Sequence, residues 1–202
     1  MVRDGIYYAA ALVVAGLGLA YVASWWLGLP LFLLALFCLY FFRDPERAIP
    51  EGDVAVSPAD GRVVSVKAGE AGGTRVSIFM NIFDVHVNRT PIAGRIAGVE
   101  YRPGRFLVAS REGASADNEQ NIVTVEGDGT RVVFKQIAGL IARRIVFRKK
   151  TGDVVRAGER VGLIKFGSRV DVFFGPEWAV TVHVRQRVSA GSSVIARRKR
   201  EA

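Results

Sequence analysis

Two hydrophobic textures divide this chain. From Gly5 to Phe42 no charged residue interrupts the sequence, whereas after Pro50 apolar residues come in short runs broken by glycine-rich turns. One helix crossing about 30 Å of hydrocarbon needs ~20 residues, so the first stretch is nearly long enough for two passes. Trp25, Trp26, Gly28 and Pro30 fall midway, where a turn at a lipid interface is expected. The pattern predicts a hydrophobic helical hairpin within residues 1–42, roughly Ile6–Ser24 and Pro30–Phe42. Its second arm is short, compatible with a full span or with a dip into one leaflet.

Arg43 to Pro50 reads as a proline-marked start to a linker over residues 43–56. Beyond it the period is that of strands. Candidates are Arg62–Lys67, Arg75–Met80, Asp84–Asn88, Arg95–Tyr101, Asn121–Glu126, Arg131–Gln136, Arg144–Arg148, Arg160–Lys165, Val170–Phe174 and Ala179–Val184. Residues 137–142 have room for one helical turn. The expectation is a mainly β domain over residues 57–202. A weak repeat relates residues 152–161 to 185–194, and Ser57 to Val66 shares its flavour. Such turns look like those of barrel-sandwich hybrids, the fold of lipoyl and biotinyl carriers. Neither repeat carries an acceptor lysine at its tip.

Charge adds a partner class. The 202 residues carry a formal net charge of +9, with a pI near 10.2, so an anionic surface is the natural counterpart. Arg43 and Arg47 follow the second arm directly, which places the basic domain on the cytoplasmic side of a cell membrane by the positive-inside tendency. A secretory signal is the rival. Arg3 offset by Asp4, and a second apolar run after the first, argue against it. Cys38 is the single cysteine, so no intrachain disulfide can form. With two histidines, His86 and His183, the search for a base is short. No metal site is expected.

Three places carry candidate chemistry. Gly167-Ser168 joins two apolar runs and puts a hydroxyl beside a glycine carbonyl; taken alone it is a tight turn. Asp60-Gly61 is an acidic turn before a strand, and alone is a plain Asp-Gly turn. In Asp84-Val85-His86-Val87-Asn88, strand alternation would put Asp84, His86 and Asn88 on one face and Val85 and Val87 in the core. Together they offer a nucleophile, a base and an orienting carboxylate.

In this company the chain resembles the phosphatidylserine decarboxylase proenzymes, in their short bacterial and archaeal form. The likeness runs from Phe41-Phe42-Arg43-Asp44-Pro45-Glu46-Arg47 through Ser57-Pro58-Ala59-Asp60-Gly61 and Phe79-Met80-Asn81-Ile82-Phe83-Asp84-Val85-His86-Val87-Asn88-Arg89. It continues through Tyr101-Arg102-Pro103-Gly104, Asn118-Glu119-Gln120-Asn121 and Gln136-Ile137-Ala138-Gly139 to Phe166-Gly167-Ser168. The resemblance implies a self-processing enzyme. Ser168 would attack the Gly167 carbonyl, with His86 as base and Asp60 holding His86. The break would leave a large subunit, 1–167, and a small one, 168–202, whose first residue becomes a pyruvoyl group made from Ser168. That group would decarboxylate phosphatidylserine to phosphatidylethanolamine, without a metal.

The likeness has departures. Longer members carry a second histidine where this chain has Arg89, and a threonine where it has Arg169. His183, in a valine-rich run, reads as structural. Arg143-Arg144, Arg148-Lys149-Lys150 and Arg197-Arg198-Lys199-Arg200 read as solvated faces or contacts to anionic lipid. Nucleic acid is not an expected partner, since no aromatic interleaving accompanies them. An archaeal ether lipid as substrate, and a homo-oligomer, are both compatible with the sequence. The competing reading is a non-catalytic, membrane-anchored barrel-sandwich adaptor of a transport complex, which would stay in one piece.

Overall fold

The computed structural model describes residues 2–107, 117–139, 144–165 and 168–199. It divides into two compact units, Met1–Glu46 and Arg47–Ala202. In the first, α1 (Arg3–Val22) and α2 (Trp25–Phe41) form a helix pair. The turn lies at Ala23-Ser24, ahead of the tryptophans; Trp25 to Pro30 is already helical, so the expected turn there is displaced. Pro30 sits inside α2, where the missing N–H costs one helical bond but does not stop the helix. The outer faces are apolar, with Leu17, Tyr21, Trp25 and Leu33 all more than half exposed. By length and composition α1 can cross a membrane; α2 is shorter.

The second unit is mainly β, as read. Its strands are β1 (Val54–Val56), β2 (Gly61–Ala68), β3 (Thr74–Met80), β4 (Val87–Arg89), β5 (Gly94–Arg102), β6 (Gln120–Gly127) and β7 (Thr130–Ile137), followed by β8 (Ile145–Phe147), β9 (Val154–Val155), β10 (Arg160–Ile164), β11 (Ser168–Phe174), β12 (Trp178–Val180), β13 (Arg187–Val188) and β14 (Val194–Arg198). An eight-stranded sheet runs β13-β2-β3-β11-β7-β6-β5-β9, and two three-stranded sheets, β1-β14-β12 and β4-β10-β8, accompany it. One apolar cluster fills the inside, including Val63, Ile78, Phe134, Val170, Val172 and Ile195.

Several strands differ from the expected ones. β1 falls inside the segment read as linker, and the short β9, β13 and β14 were not anticipated. The run expected at Ala179–Val184 ends at Val180, which leaves His183 exposed in a turn. Ile137 closes β7 rather than starting a helical turn, and Leu140 to Ala142 lie outside the described residues.

The strand pairing is duplicated. β1-β2-β3 with β11-β12-β13-β14 repeats the pattern of β4-β5-β6 with β7-β8-β9-β10. The three-stranded sheets β1-β14-β12 and β4-β10-β8 are the two copies of one another, and β13 and β9 cap the two edges of the large sheet. Even the irregularities match: β2–β3 shifts register between Val63 and Ser65, and β5–β6 between Ile96 and Gly98. The sequences ahead of them correspond, Ser57-Pro58-Ala59-Asp60-Gly61-Arg62-Val63 against Thr90-Pro91-Ile92-Ala93-Gly94-Arg95-Ile96. Gly61 and Gly94 share a left-handed-side φ, +143° and +153°, and a Cβ on either would run into a carbonyl oxygen, that of Phe79 or of Glu126. Only glycine fits such a crossing. One copy is contiguous, β4 to β10; the other is split around it, and β11 begins where the chain returns.

Candidate active site

Ser168 opens β11 and is wholly buried. β11 lies between β3 and β7, with Ser168 opposite Met80 and Arg169 opposite Ile137. The Ser168 hydroxyl lies 4.0 Å from the Met80 sulfur. Gly167 and Phe166, the other half of the junction, lie outside the described residues.

His86 does not sit in a strand, because β4 starts at Val87. The reason is local. The Asn81 side chain accepts the Phe83 N–H at 2.8 Å, the Asp84 carboxylate accepts the Asn81 N–H at 2.8 Å, and the Asp84 N–H returns to the Asn81 carbonyl at 3.0 Å. Asparagine and aspartate thus bend the chain where simple alternation would continue it. The expected division into a polar and a core face also fails: Val85, His86, Val87 and Asn88 are all buried. The His86 Nδ1 lies 2.9 Å from the Asp84 carbonyl oxygen. A carbonyl can only accept, so the neutral ring carries its proton on Nδ1 and its basic lone pair on Nε2.

The Asp60 carboxylate accepts the Ala190 N–H at 2.7 Å and pairs with the Arg47 guanidinium at 2.8 Å. Main-chain bonds gather the three segments. The Arg89 N–H donates to the Pro58 carbonyl at 3.0 Å, tying the Asp60 turn to β4. The Ile164 N–H donates to the His86 carbonyl at 3.3 Å, tying the histidine loop to the strand that ends four residues before Ser168. The Arg89 side chain donates to the Gly158 carbonyl at 3.0 Å.

A buried chain of amides went unassigned by the sequence reading. The Asn121 Nδ2 donates to Gln136 Oε1 at 3.0 Å, and the Gln136 Nε2 donates to Asn88 Oδ1 at 2.9 Å. The Asn88 Nδ2 then faces the Pro58 carbonyl at 3.5 Å and the Met80 sulfur at 3.8 Å. All three are at most 4% exposed. A signal existed: Asn121 alternates with the buried Val123 and Val125, and Gln136 with Val132 and Phe134, so each is polar at a core-facing position.

On the opposite face of β11, Arg169 pairs with Asp171 at 2.6 Å and donates to the Ser77 hydroxyl at 2.7 Å. Arg169 is 1% exposed and Asp171 not at all. Across from Asp171, burial pushes the Lys135 amine below the ordinary lysine value, with Arg102 and Arg75 adding to it against the pull of Asp171. Among the described residues no group of three His, Cys, Asp or Glu side chains is placed to hold a metal.

A duplicated β unit whose central strand begins at a sealed serine defines the class of site; comparison with known proteins gives the family. The phosphatidylserine decarboxylase family matches residues 34–196. A phosphatidylserine decarboxylase proenzyme from Solibacter usitatus is 69% identical over 198 residues, 98% of this chain and 97% of the relative. Those from Ruegeria pomeroyi and Nitratidesulfovibrio vulgaris are 50% and 44% identical, over 85% and 98% of this chain and 82% and 94% of theirs. The chain belongs to the phosphatidylserine decarboxylase family. It is a decarboxylase, and the adaptor reading is set aside.

Proposed function

We propose that the chain breaks its own Gly167–Ser168 bond and that the mature form converts phosphatidylserine to phosphatidylethanolamine and CO2. The observation that carries this is the placement of Ser168, buried at the first residue of a strand clamped on both sides, with the His86 loop tied to Ile164 just upstream.

The Ser168 hydroxyl adds to the Gly167 carbonyl carbon while His86 Nε2 takes its proton. The C–N bond then breaks, the nitrogen regains that proton, and an ester joins the two residues. Loss of the Ser168 α-proton expels the Gly167 carboxylate by elimination. The enamine left by the elimination shifts a proton to become an imine, water adds to the imine carbon, ammonia leaves, and a ketone remains at the head of residues 168–202. Asp60 is the carboxylate assigned to steady the protonated His86, its charge fixed in place by Arg47 and the Ala190 N–H. The Met80 sulfur faces the position at which that keto group would form. Once formed, the pyruvoyl group supplies the electron sink for decarboxylation of an amine substrate.

The helix pair supports a membrane setting, with exposed apolar side chains and a strongly basic sequence following it along the chain; the β unit is assigned to the cytoplasmic side. A lipid substrate is then met at the surface where the enzyme is anchored.

Intact-mass measurement tests the proposal. Two pieces meeting at 167/168 are expected, the smaller lacking a free amine, and Ser168→Ala should remain one chain. Cleavage of that variant at the same bond, or full decarboxylase activity from an uncut chain, would overturn it.

A further inference from the structure

The amide chain is polarised. Each of its members accepts from the one before, so the donors all point from Asn121 through Gln136 towards Asn88. Reversing all three amides would turn the Asn88 oxygen towards the Pro58 carbonyl, acceptor facing acceptor, which favours this sense of the chain. Coupled hydrogen bonds in a low-dielectric interior strengthen one another along their direction. The last donor, Asn88 Nδ2, is wholly buried but poorly used. Its carbonyl partner at 3.5 Å lies beyond the usual N–H···O range, and its other neighbour is a weakly accepting thioether. That thioether is the Met80 sulfur against which the Ser168 hydroxyl rests.

The duplication supplies an internal control. The β3–β11 ladder places Thr74 opposite Phe174, as the β6–β7 ladder places Asn121 opposite Gln136. In the small sheets Ala55 opposite Ala196 matches Asn88 opposite Gly162. The same three places therefore hold Thr74, Phe174 and Ala55 in the other copy. Buried amides cost free energy unless fully satisfied, and the other copy keeps the same ladder without any amide, using Phe174, Ala55 and the half-buried Thr74. The amides are retained only at the end that contains Ser168.

We infer that Asn88, aimed by Gln136 and Asn121, donates its Nδ2 hydrogen to the oxyanion formed when the Ser168 hydroxyl adds to the Gly167 carbonyl carbon. Asn88 is thereby a catalytic residue of maturation, and Gln136 and Asn121 are positioning residues. The inference rests on the self-cleavage reading above. In the addition step the carbonyl π pair moves onto oxygen, and a donor held in place beforehand stabilises that charge without reorganising. When the C–N bond breaks the pair returns, and the amide relaxes to its long contacts. Removing one such donor in other enzymes costs about 10²–10³ in rate.

The full-length, detergent-solubilised proenzyme is followed on denaturing gels and by intact mass, with and without hydroxylamine, which captures an internal ester. Asn88→Ala and Asn88→Asp are expected to slow maturation about 100-fold and to yield no hydroxylamine-trapped ester. The triple variant Asn88→Ala/Gln136→Phe/Asn121→Thr, which copies the other half of the fold, is expected to melt no lower than the parent and to stay uncut. Maturation of Asn88→Ala within threefold of the parent overturns the inference. So does a trapped ester in that variant, which would move its role to the elimination, and so does a triple variant that fails to fold, which would make the amides structural. Ser168→Ala separates the two levels: if it is cut, the self-cleavage reading is wrong; if it stays whole while Asn88→Ala matures normally, only the role of Asn88 falls.

Discussion

Ser168 and Thr130 occupy equivalent places in the two copies of the β unit: Ser168 opposite Met80 at the start of β11, and Thr130 opposite Gly127 at the start of β7. Each follows a glycine, Gly167 or Gly129. The Thr130 hydroxyl, however, donates to the Glu177 carboxylate and accepts the Trp178 indole N–H. Its proton is committed to a carboxylate, and no histidine precedes the matching strand β1, where Asp53 stands. Mass spectrometry of the mature protein should therefore show the Gly129–Thr130 bond intact in every molecule, and products from that bond would remove the distinction drawn between the two ends.

Gly61→Ala and Gly94→Ala should destabilise alike. Each would force a left-handed-side φ on alanine and push a methyl group into the facing carbonyl. Backbone strain of this kind costs about 1–3 kcal/mol and overpacking about as much again. Thermal melts should fall by at least about 4 °C for each. An unchanged melting temperature for either would contradict the crossing geometry.

The Arg169–Asp171 pair predicts a non-additive pattern. Arg169→Met alone leaves a wholly buried carboxylate without its guanidinium, a loss of about 3–5 kcal/mol. Replacing both, as Arg169→Met/Asp171→Leu, should restore most of that stability, because the desolvation cost disappears with the charges. A denaturant double-mutant cycle reads the coupling, and a double variant as unstable as the single would refute it.

Lys135 gives a pH-dependent signature. Its folded-state pKa lies below the ordinary lysine value because burial disfavours the ammonium, with Arg102 and Arg75 adding to this. A lowered lysine pKa means that the charged form destabilises the fold. That penalty is fully present below the folded pKa and fades as pH rises from there towards the unfolded value. Lys135→Met should thus melt higher than the parent at pH 7, with the gap narrowing as the pH approaches about 10.4. A gap that widens with pH would reverse the sign assigned here.

Much of this was legible in the chain. The uncharged run fixed a helix pair because nothing in it could face water, and glycine-bounded valine runs fixed most strands. Trp25 to Pro30 has the composition of an interfacial turn, yet it is helical, because Pro30 lies where a helix tolerates it with the loss of one bond. β9 and β13 escaped because two-residue strands carry no period. The His86 segment was read as a strand because alternation is blind to side-chain bonds, and Asn81 and Asp84 close a turn there. The repeat between residues 152–161 and 185–194 was visible, but its meaning as the two edges of one sheet needed the pairing. Asn88, Gln136 and Asn121 lie far apart in the sequence, and only the folded ladder brings them into one line.

The place of β11 has a last consequence. It lies between β3 and β7, both upstream of the junction, and its own continuation supplies β12, β13 and β14 to two different sheets. A cut ahead of Ser168 consequently yields two polypeptides braided through a common interior. Parting them would mean unzipping both flanking ladders at once, so the fragments should denature together, in a single transition, and should not exchange with fragments from neighbouring molecules.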